Sequence, residues 1–156
     1  MNRSDHSQDT GLTVSIRTFT MADYPAVLAL WRDAGLPFRP QGRDARETVE
    51  AQLGGDSSIY LVAEAPAGTV VGVVFGTHDG RKGWINRLAV LPAFQGRGIA
   101  RRLVAEVEAR LSTRGIDIVA ASIESENEAS LAFFGAAGYV HDPCIEYVSK
   151  RRDPGT

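Results

Sequence analysis

The sequence predicts an α/β fold of the α+β kind, with one mixed, mostly antiparallel sheet of six or seven strands and about four helices. Three observations carry this. Residues 58–64 and 69–76 are apolar, β-branched runs joined by Ala65-Pro66-Ala67-Gly68, and a third run, 84–90, follows a glycine-containing turn over 77–83, so three consecutive strands form an antiparallel meander. Residues 99–114 carry Ala100, Leu103, Val104, Val107 and Leu111 on one stripe, with Glu106 and Arg110 four residues apart, as an amphipathic helix requires. After Gly115 comes a β-branched run at 116–124 that reads as a buried strand. Strand, helix and strand in that order make a β-α-β unit whose two strands run parallel.

Residues 1–11 hold too little apolar surface to bury and form a floppy tail. At 156 residues and 44% hydrophobic content the chain suits one domain with a full core, here 12–151, with a short tail at 152–156. Residues 12–17 alternate apolar and polar positions as a half-buried first strand. Asp23 or Thr20 caps the next helix, where Pro25 is tolerated because it falls in the first turn. Val27, Leu30, Trp31 and Ala34 make its packed face and Gly35 ends it. Residues 36–42, with Pro37 and Pro40, are a loop, and 44–53 is a second short helix stopped by Gly54-Gly55. Asn127 opens a last short helix that Gly138 closes, and 139–150 supplies one or two closing strands broken near Pro143.

Composition narrows the function. With 17 basic and 19 acidic side chains the net charge is -2, which leaves no electrostatic footprint for nucleic acid or an anionic membrane. No apolar run approaches the roughly 20 residues of a membrane span. The single Cys144 builds no disulfide framework and is expected as a small buried hydrophobe. The polar start is no secretory leader, so a cytoplasmic location is expected. His6, His78 and His141 lack metal-ligand spacing, and no metal is expected.

The chemistry concentrates in Leu88-Ala89-Val90-Leu91-Pro92-Ala93-Phe94-Gln95-Gly96-Arg97-Gly98-Ile99-Ala100-Arg101-Arg102. A strand runs into a proline turn, then a glycine loop, then a helix whose first N–H groups have no intrahelical acceptors. Such an N-terminus favours an anion, and two glycines let backbone approach a phosphate closely. A dinucleotide fingerprint needs a third glycine where Arg101 stands, and a P-loop needs a G-K-[ST] tripeptide that the chain does not contain. The first reading is weak and the second fails, and the stretch reads as a pyrophosphate cradle of another type.

Gln95-Gly96-Arg97-Gly98-Ile99-Ala100 after Leu88-Ala89-Val90 resembles the acetyl-coenzyme A signature of the GNAT superfamily of N-acetyltransferases, Q/R-x-x-G-x-G/A. Asn127, Ser130, Phe133, Phe134, Gly138 and Tyr139 resemble that family's N-x-x-A-x-x-L-Y-x-x-x-G-F segment. Leu30-Trp31, Leu61-Val62-Ala63-Glu64, Asp79-Gly80-Arg81-Lys82-Gly83-Trp84 and Ser149-Lys150-Arg151 extend the likeness to its bacterial YpeA-like branch. The resemblance implies parallel strands splayed apart at a site for acetyl-CoA, and an acetyl group moved to a primary amine of a small molecule or peptide. It implies cofactor contacts from Leu88, Ala89, Val90, Gln95, Gly96, Arg97, Gly98, Ile99, Ala100 and Arg101 or Arg102, with Asn127 and Phe134 beside them. Asn127 either holds the cofactor by its amide or caps the last helix. Proteins of this kind also often form homodimers through their C-terminal strands.

Acyl transfer to an amine needs a held cofactor, a polarised carbonyl and a neutral amine. The N–H of Val90 at the splay is the expected oxyanion donor. Neutralising an amine of pKa ~10.4 at pH 7 costs about 4.6 kcal/mol, whereas expelling a thiolate of pKa ~8.5 lies ~2 kcal/mol uphill, so a base matters more than an acid. Glu124, on one strand face with Ser122 by period two, is the expected base, acting directly or through water. Many family members place a tyrosine thought to protonate the thiolate where this chain has Phe134, which slows the reaction without abolishing it and is free to pack on the pantetheine arm or in the core. Trp31, Arg39 and Asp79 are the expected acceptor contacts, with Arg43 and Arg81 as further candidates. A CoA-binding regulatory module with weak or no catalysis is the alternative from another class.

Overall fold

A computed structural model describes residues 13–153. The tail expected over 1–11 and the last residues of the tail expected over 152–156 lie outside the described residues. The elements run β1 (Ser15–Thr18), α1 (Tyr24–Asp33), α2 (Arg46–Leu53), β2 (Ser58–Glu64), β3 (Val70–His78), β4 (Gly83–Ile85), β5 (Ala89–Val90), α3 (Ile99–Ser112), β6 (Val119–Ala121) and α4 (Glu128–Ala136). The six strands form one sheet in the order β1-β2-β3-β4-β6, and β5 also pairs with β3. Every pairing is antiparallel except that of β4 with β6, which is parallel as the β-α-β order requires.

The central strands read as nearly continuous apolar runs because both their faces are covered. Tyr60, Val62, Val73 and Phe75 meet Val27, Leu30 and Trp31 of α1, with Tyr60 and Phe75 stacked at 3.9 Å. Ile59, Leu61, Ala63 and Val74 meet Leu103, Val107 and Leu111 of α3 on the other face. Three sheet glycines set how closely α3 approaches. A Cβ on Gly72 would lie 3.1 Å from Ile99 Cγ2 and Leu103 Cδ1, one on Gly76 would lie 2.7 Å from Val107 Cγ1, and one on Gly83 would collide with Leu111 Cδ1. Residues 99, 103, 107 and 111 stand one turn apart, so the helix is seated against this row along its length. That seat fixes its N-terminus just beyond the end of β5.

The strand expected over 84–90 is broken in two. Phe75 donates its N–H to Arg87 O at 3.1 Å and accepts from Asn86 N at 2.8 Å, so two residues oppose one and the ladder bulges between β4 and β5. The parallel pairing ends at Ile85↔Ala121, and β5 pairs with β3 alone. A gap therefore opens between β5 and the chain that leaves β6.

The run at 116–124 is a three-residue, half-buried strand rather than a long buried one. It has one neighbour, and Ile118 is 59% exposed. No strand forms over 139–150: Asp142 Oδ1 accepts the N–H of Cys144 at 2.9 Å in a turn around Pro143, and Val140, Ile145, Tyr147 and Val148 stand exposed. Cys144 is exposed, not buried. The second helix starts at Arg46 because Asp44 is engaged elsewhere. No helix among the described residues is long and apolar enough to cross a membrane.

Both expected caps are used: Thr20 is the N-cap of a short 3-10 segment at Met21–Asp23, and Asp23 holds the N-cap position of α1, where its carboxylate makes no cap bond and instead accepts Thr20 N at 2.9 Å. Arg17 grips the same carboxylate with two bonds, at 2.7 and 2.8 Å, and Glu64 at 2.6 Å. The Arg17 bond, aided by Thr20, holds the Asp23 carboxyl below its ordinary value of 3.8 despite burial. A depressed carboxyl stabilises the fold above its unfolded pKa and loses that contribution as pH falls from 3.8 through the lower folded value. Asp23→Asn is therefore expected to lower unfolding free energy by about 2 kcal/mol at neutral pH, because it removes charge-assisted bonds. Urea titrations of both proteins should show that gap closing below the same pH; a gap that stays constant in acid contradicts the assignment.

Candidate active site

The expected cradle forms between β5 and α3. Pro92–Phe94 makes one 3-10 turn, then Gly96 and Gly98 adopt φ of +74° and +76°, a region that L side chains rarely enter. The first intrahelical bond runs from Arg102 N to Gly98 O at 3.1 Å, so the amides of Ile99, Ala100 and Arg101 precede the ladder. No side chain among the described residues caps this end, and Gln95, Gly96, Arg97 and Gly98 are exposed. A chain of amides at the positive end of a fourteen-residue helix is thus open to an anion. Arg97 lies over the Phe94 ring at 5.4 Å and is exposed beside the loop. Arg101 reaches Ala136 O at 3.4 Å, at the end of α4. Arg102 is not free for the cradle as expected, since its guanidinium donates to Val14 O at 2.8 Å.

The gap beside the loop is lined by backbone. Leu91 N donates to Val71 O at 2.9 Å, which makes that pair a bonded one in the antiparallel ladder. Bonded and non-bonded pairs alternate, so the N–H and C=O of Val90, opposite Gly72, point away from β3 and into the gap, as do those of Leu88. Gln95 Nε2 donates to Val90 O at 3.1 Å. Its amide thereby ties the glycine loop to the strand and occupies the Val90 carbonyl. Leu88 is half-buried against the core, and Ala89, whose backbone pairs with Val73, is buried.

Other expected site residues fall differently. β6 stops at Ala121, so the period-two argument that put Ser122 and Glu124 on one strand face does not hold. Glu124 is exposed in the chain leaving the sheet, where its carbonyl accepts Asn127 N at 2.9 Å. Asn127 caps α4 by accepting Ser130 N at 3.0 Å, which occupies Oδ1 and leaves its NH₂. Phe134 is buried, with its ring edge-on to Phe133 at 5.1 Å and Tyr139 at 4.9 Å, so it serves the core. The Tyr139 hydroxyl donates to Glu108 at 2.6 Å. Burial and then that carboxylate push it above the usual phenol range, which makes it a poor acid.

Asp79 sits on the turn between β3 and β4, at the strand ends away from the gap. Its Oδ1 accepts Arg81 N and Lys82 N, both at 2.8 Å, and these N–H bonds hold its carboxyl below the usual range. The structure does not bring Asp79 or Arg81 to the gap. Trp31 is wholly buried among Phe75 and Phe38 rather than lining an open wall. Arg39 and Arg43 lie on the loop that follows α1, and both are exposed. What sequence reasoning missed is Arg87, whose guanidinium lies 5.4 Å over Trp31 and binds Asp44. A charge inside an otherwise apolar strand run needs a buried partner, and that was the available clue.

A family model described as the acetyltransferase (GNAT) family matches residues 24–139, most of the described chain. The chain belongs to the GNAT acetyltransferase family. Several solved GNAT structures share its fold. The structure of AAC(6')-Iy in complex with a bisubstrate analogue, CoA-S-monomethyl-acetylneamine, has a TM-score of 0.75 at 22% identity, covering 89% of this chain and 99% of that one. PaiA N-acetyltransferase from Thermoplasma acidophilum in complex with coenzyme A has a TM-score of 0.69 at 18% identity, covering 80% and 87%. Glucosamine-6-phosphate N-acetyltransferase from Arabidopsis thaliana has a TM-score of 0.71 at 19% identity, covering 90% and 99%. At these identities the likeness is one of fold, and the chemistry of this GNAT chain has to rest on its own geometry.

Proposed function

We propose that this GNAT protein is an acetyl-CoA-dependent N-acetyltransferase that moves an acetyl group to a primary amine of a small molecule or peptide by direct attack. The observation that carries this is the adjacency of two features: an uncapped α3 N-terminus with both loop glycines at positive φ, and a strand gap into which Val90 N–H points. Acetyl-CoA would supply the activated thioester. The amides of residues 96–101 would hold its diphosphate, with Arg97 and Arg101 alongside. Val90 N–H would meet the carbonyl oxygen as it gains charge. CoA-bound relatives with this fold, and relatives named for aminoglycoside and sugar-phosphate amines, support the substrate class. The sequence likeness to the YpeA-like branch and the expected cytoplasmic location belong to the same proposal.

Calorimetry of CoA with the full chain tests the cradle, and thiol release from acetyl-CoA with amino acids, polyamines, aminoglycosides and peptides tests transfer. Binding with acceptor-dependent release is expected; no heat on CoA titration sinks the reading. One observation favours the CoA-binding regulatory module instead: with Phe134 in the core and the Tyr139 hydroxyl held by Glu108, neither side chain offers a proton to the thiolate. Tight binding without acceptor-dependent release across the panel would select it.

Glu124 remains the base we propose, since it is exposed where the chain leaves β6 beside the gap. An amine of pKa ~10.4 is mostly charged at neutral pH and increasingly neutral above about pH 9, so help from a base matters most at the lower pH. Glu124→Gln is expected to lower kcat about 10²-fold at neutral pH and much less near pH ~9.5. Equal losses at the two pH values would remove Glu124 from the mechanism.

A further inference from the structure

We propose that the buried Asp44–Arg87 pair is a positioning device that holds the loop at residues 36–44 against the backbone of the strand gap, so that acceptor use depends on it and cofactor binding does not. The inference rests on the transferase reading above. Arg87 lies in the bulge between β4 and β5, three residues before Val90. Its carbonyl accepts Phe75 N at 3.1 Å, so its backbone belongs to the sheet. Its side chain belongs to the loop: Nη2 donates to Asp44 Oδ2 at 2.6 Å and Oδ1 at 2.8 Å, and Nη1 donates to Pro37 O at 2.7 Å. Side-chain exposures are 13% for Arg87 and 8% for Asp44.

Asp44 in turn closes the loop on itself. Its Oδ2 accepts Arg39 N at 2.8 Å and its own N–H donates to Arg39 O at 3.1 Å. Tyr24 of α1 donates its hydroxyl to Asp44 O at 2.7 Å. The other charge near the carboxylate is Arg43, with Nε at 3.8 Å. Beneath the guanidinium lies the Trp31 ring, at 5.4 Å.

A pair this buried is an inefficient source of stability, because desolvation of both ions offsets much of their attraction. What it supplies is geometry: the guanidinium fork, with Nη2 shared by both Asp44 oxygens and Nη1 on Pro37 O, accepts one orientation, and here it links the backbone three residues before Val90 to the loop that carries Arg39 and Arg43. An amine that approaches the gap from this side meets a wall whose distance from the strand Arg87 sets. α3 packs on the opposite face of the sheet, against Ile59, Leu61 and Val74, whereas the pair sits over Trp31.

The test compares wild type, Asp44→Asn, which keeps shape, and Arg87→Lys, which keeps charge but loses the fork. CoA affinity is read by calorimetry, and acetyl transfer is read with kanamycin, spermidine and glucosamine 6-phosphate as acceptors. For any of these that wild type acetylates, Asp44→Asn is expected to raise the acceptor KM by about tenfold or more while kcat and the CoA Kd move less than about threefold, with Arg87→Lys between. Unchanged acceptor KM, or CoA affinity falling in step, overturns the proposal. Hydrogen exchange decides independently of acceptor choice. The Arg39 and Asp44 amides should exchange faster in both variants while protection at residues 89–91 persists, and unaltered exchange in the loop overturns the device. Failure of wild type to bind CoA refutes the transferase reading alone, since exchange still reports on the loop.

Discussion

Val90→Pro is expected to lower kcat by about 10²–10³-fold with the fold intact, the loss typical of removing one preorganised oxyanion donor. The reason is register. Proline abolishes one N–H, and in a central strand that N–H would also be a rung of the ladder. At position 90 it is not: the rungs on either side come from Ala89, paired with Val73, and Leu91, bonded to Val71 O at 2.9 Å. The Val90 N–H faces the gap, where no strand pairs with β5, so the substitution removes a donor from the site and no bond from the sheet. The preceding Ala89 is already in a strand, the conformation that a following proline favours. Val90→Ala, which shortens the side chain and keeps the N–H, should stay near wild type in kcat. CoA Kd should change little in either variant, because free CoA carries no acetyl carbonyl. A Val90→Pro enzyme within about threefold of the Val90→Ala control would remove the backbone donor from the mechanism.

Much of this architecture was legible in the sequence because it rests on periodicity and on chain order. β2 lies over the residues that the apolar run marks, α3 carries the stripe that Leu103, Val107 and Leu111 announce, and the strand-helix-strand order dictates the parallel pair β4–β6. The exceptions share a cause: propensity reports what a segment can do, and pairing needs a neighbour. The run at 116–124 is rich in β-branched residues, yet only three residues pair, since β4 itself stops at the bulge. Residues 139–150 contain Ile145 and Tyr147 at strand spacing, but Pro143 and the Asp142 turn precede them and no edge receives them.

The site divides along the same line. The glycine loop could be read because glycine at φ of +74° and +76° reflects a local backbone need, and the Asn127 cap because capping is local too. The acceptor side could not. Helix spacing places Trp31 on the packed face, and that face is its whole environment, so the acceptor contact also expected of it does not form. Asp79 carried charge in a turn, and its carboxylate is spent on the turn's own N–H groups. Asp44 and Arg87 are 43 residues apart, and nothing in either neighbourhood names the other.

The glycine row under α3 yields a second large effect, this time on stability. Gly76→Val is expected to cost about 3 kcal/mol, within the range for overfilling a close-packed core. The new Cβ would stand 2.7 Å from Val107 Cγ1 and 3.2 Å from Ile59 O, and the latter is backbone within the β2–β3 ladder that cannot withdraw. Relief must come from the helix, which would lift from its seat and carry the amides of residues 96–101 with it. A melting-temperature drop of about 6–12 °C should therefore accompany weaker CoA binding, although residue 76 is far along the helix from the cradle. Combining the change with Val107→Ala removes the atom that collides. The pair should then be more stable than the sum of the two single losses by over about 1 kcal/mol, since contacting residues couple. Additive losses would mean that α3 is not held by this contact, and that the cradle owes its place to something other than the glycine row.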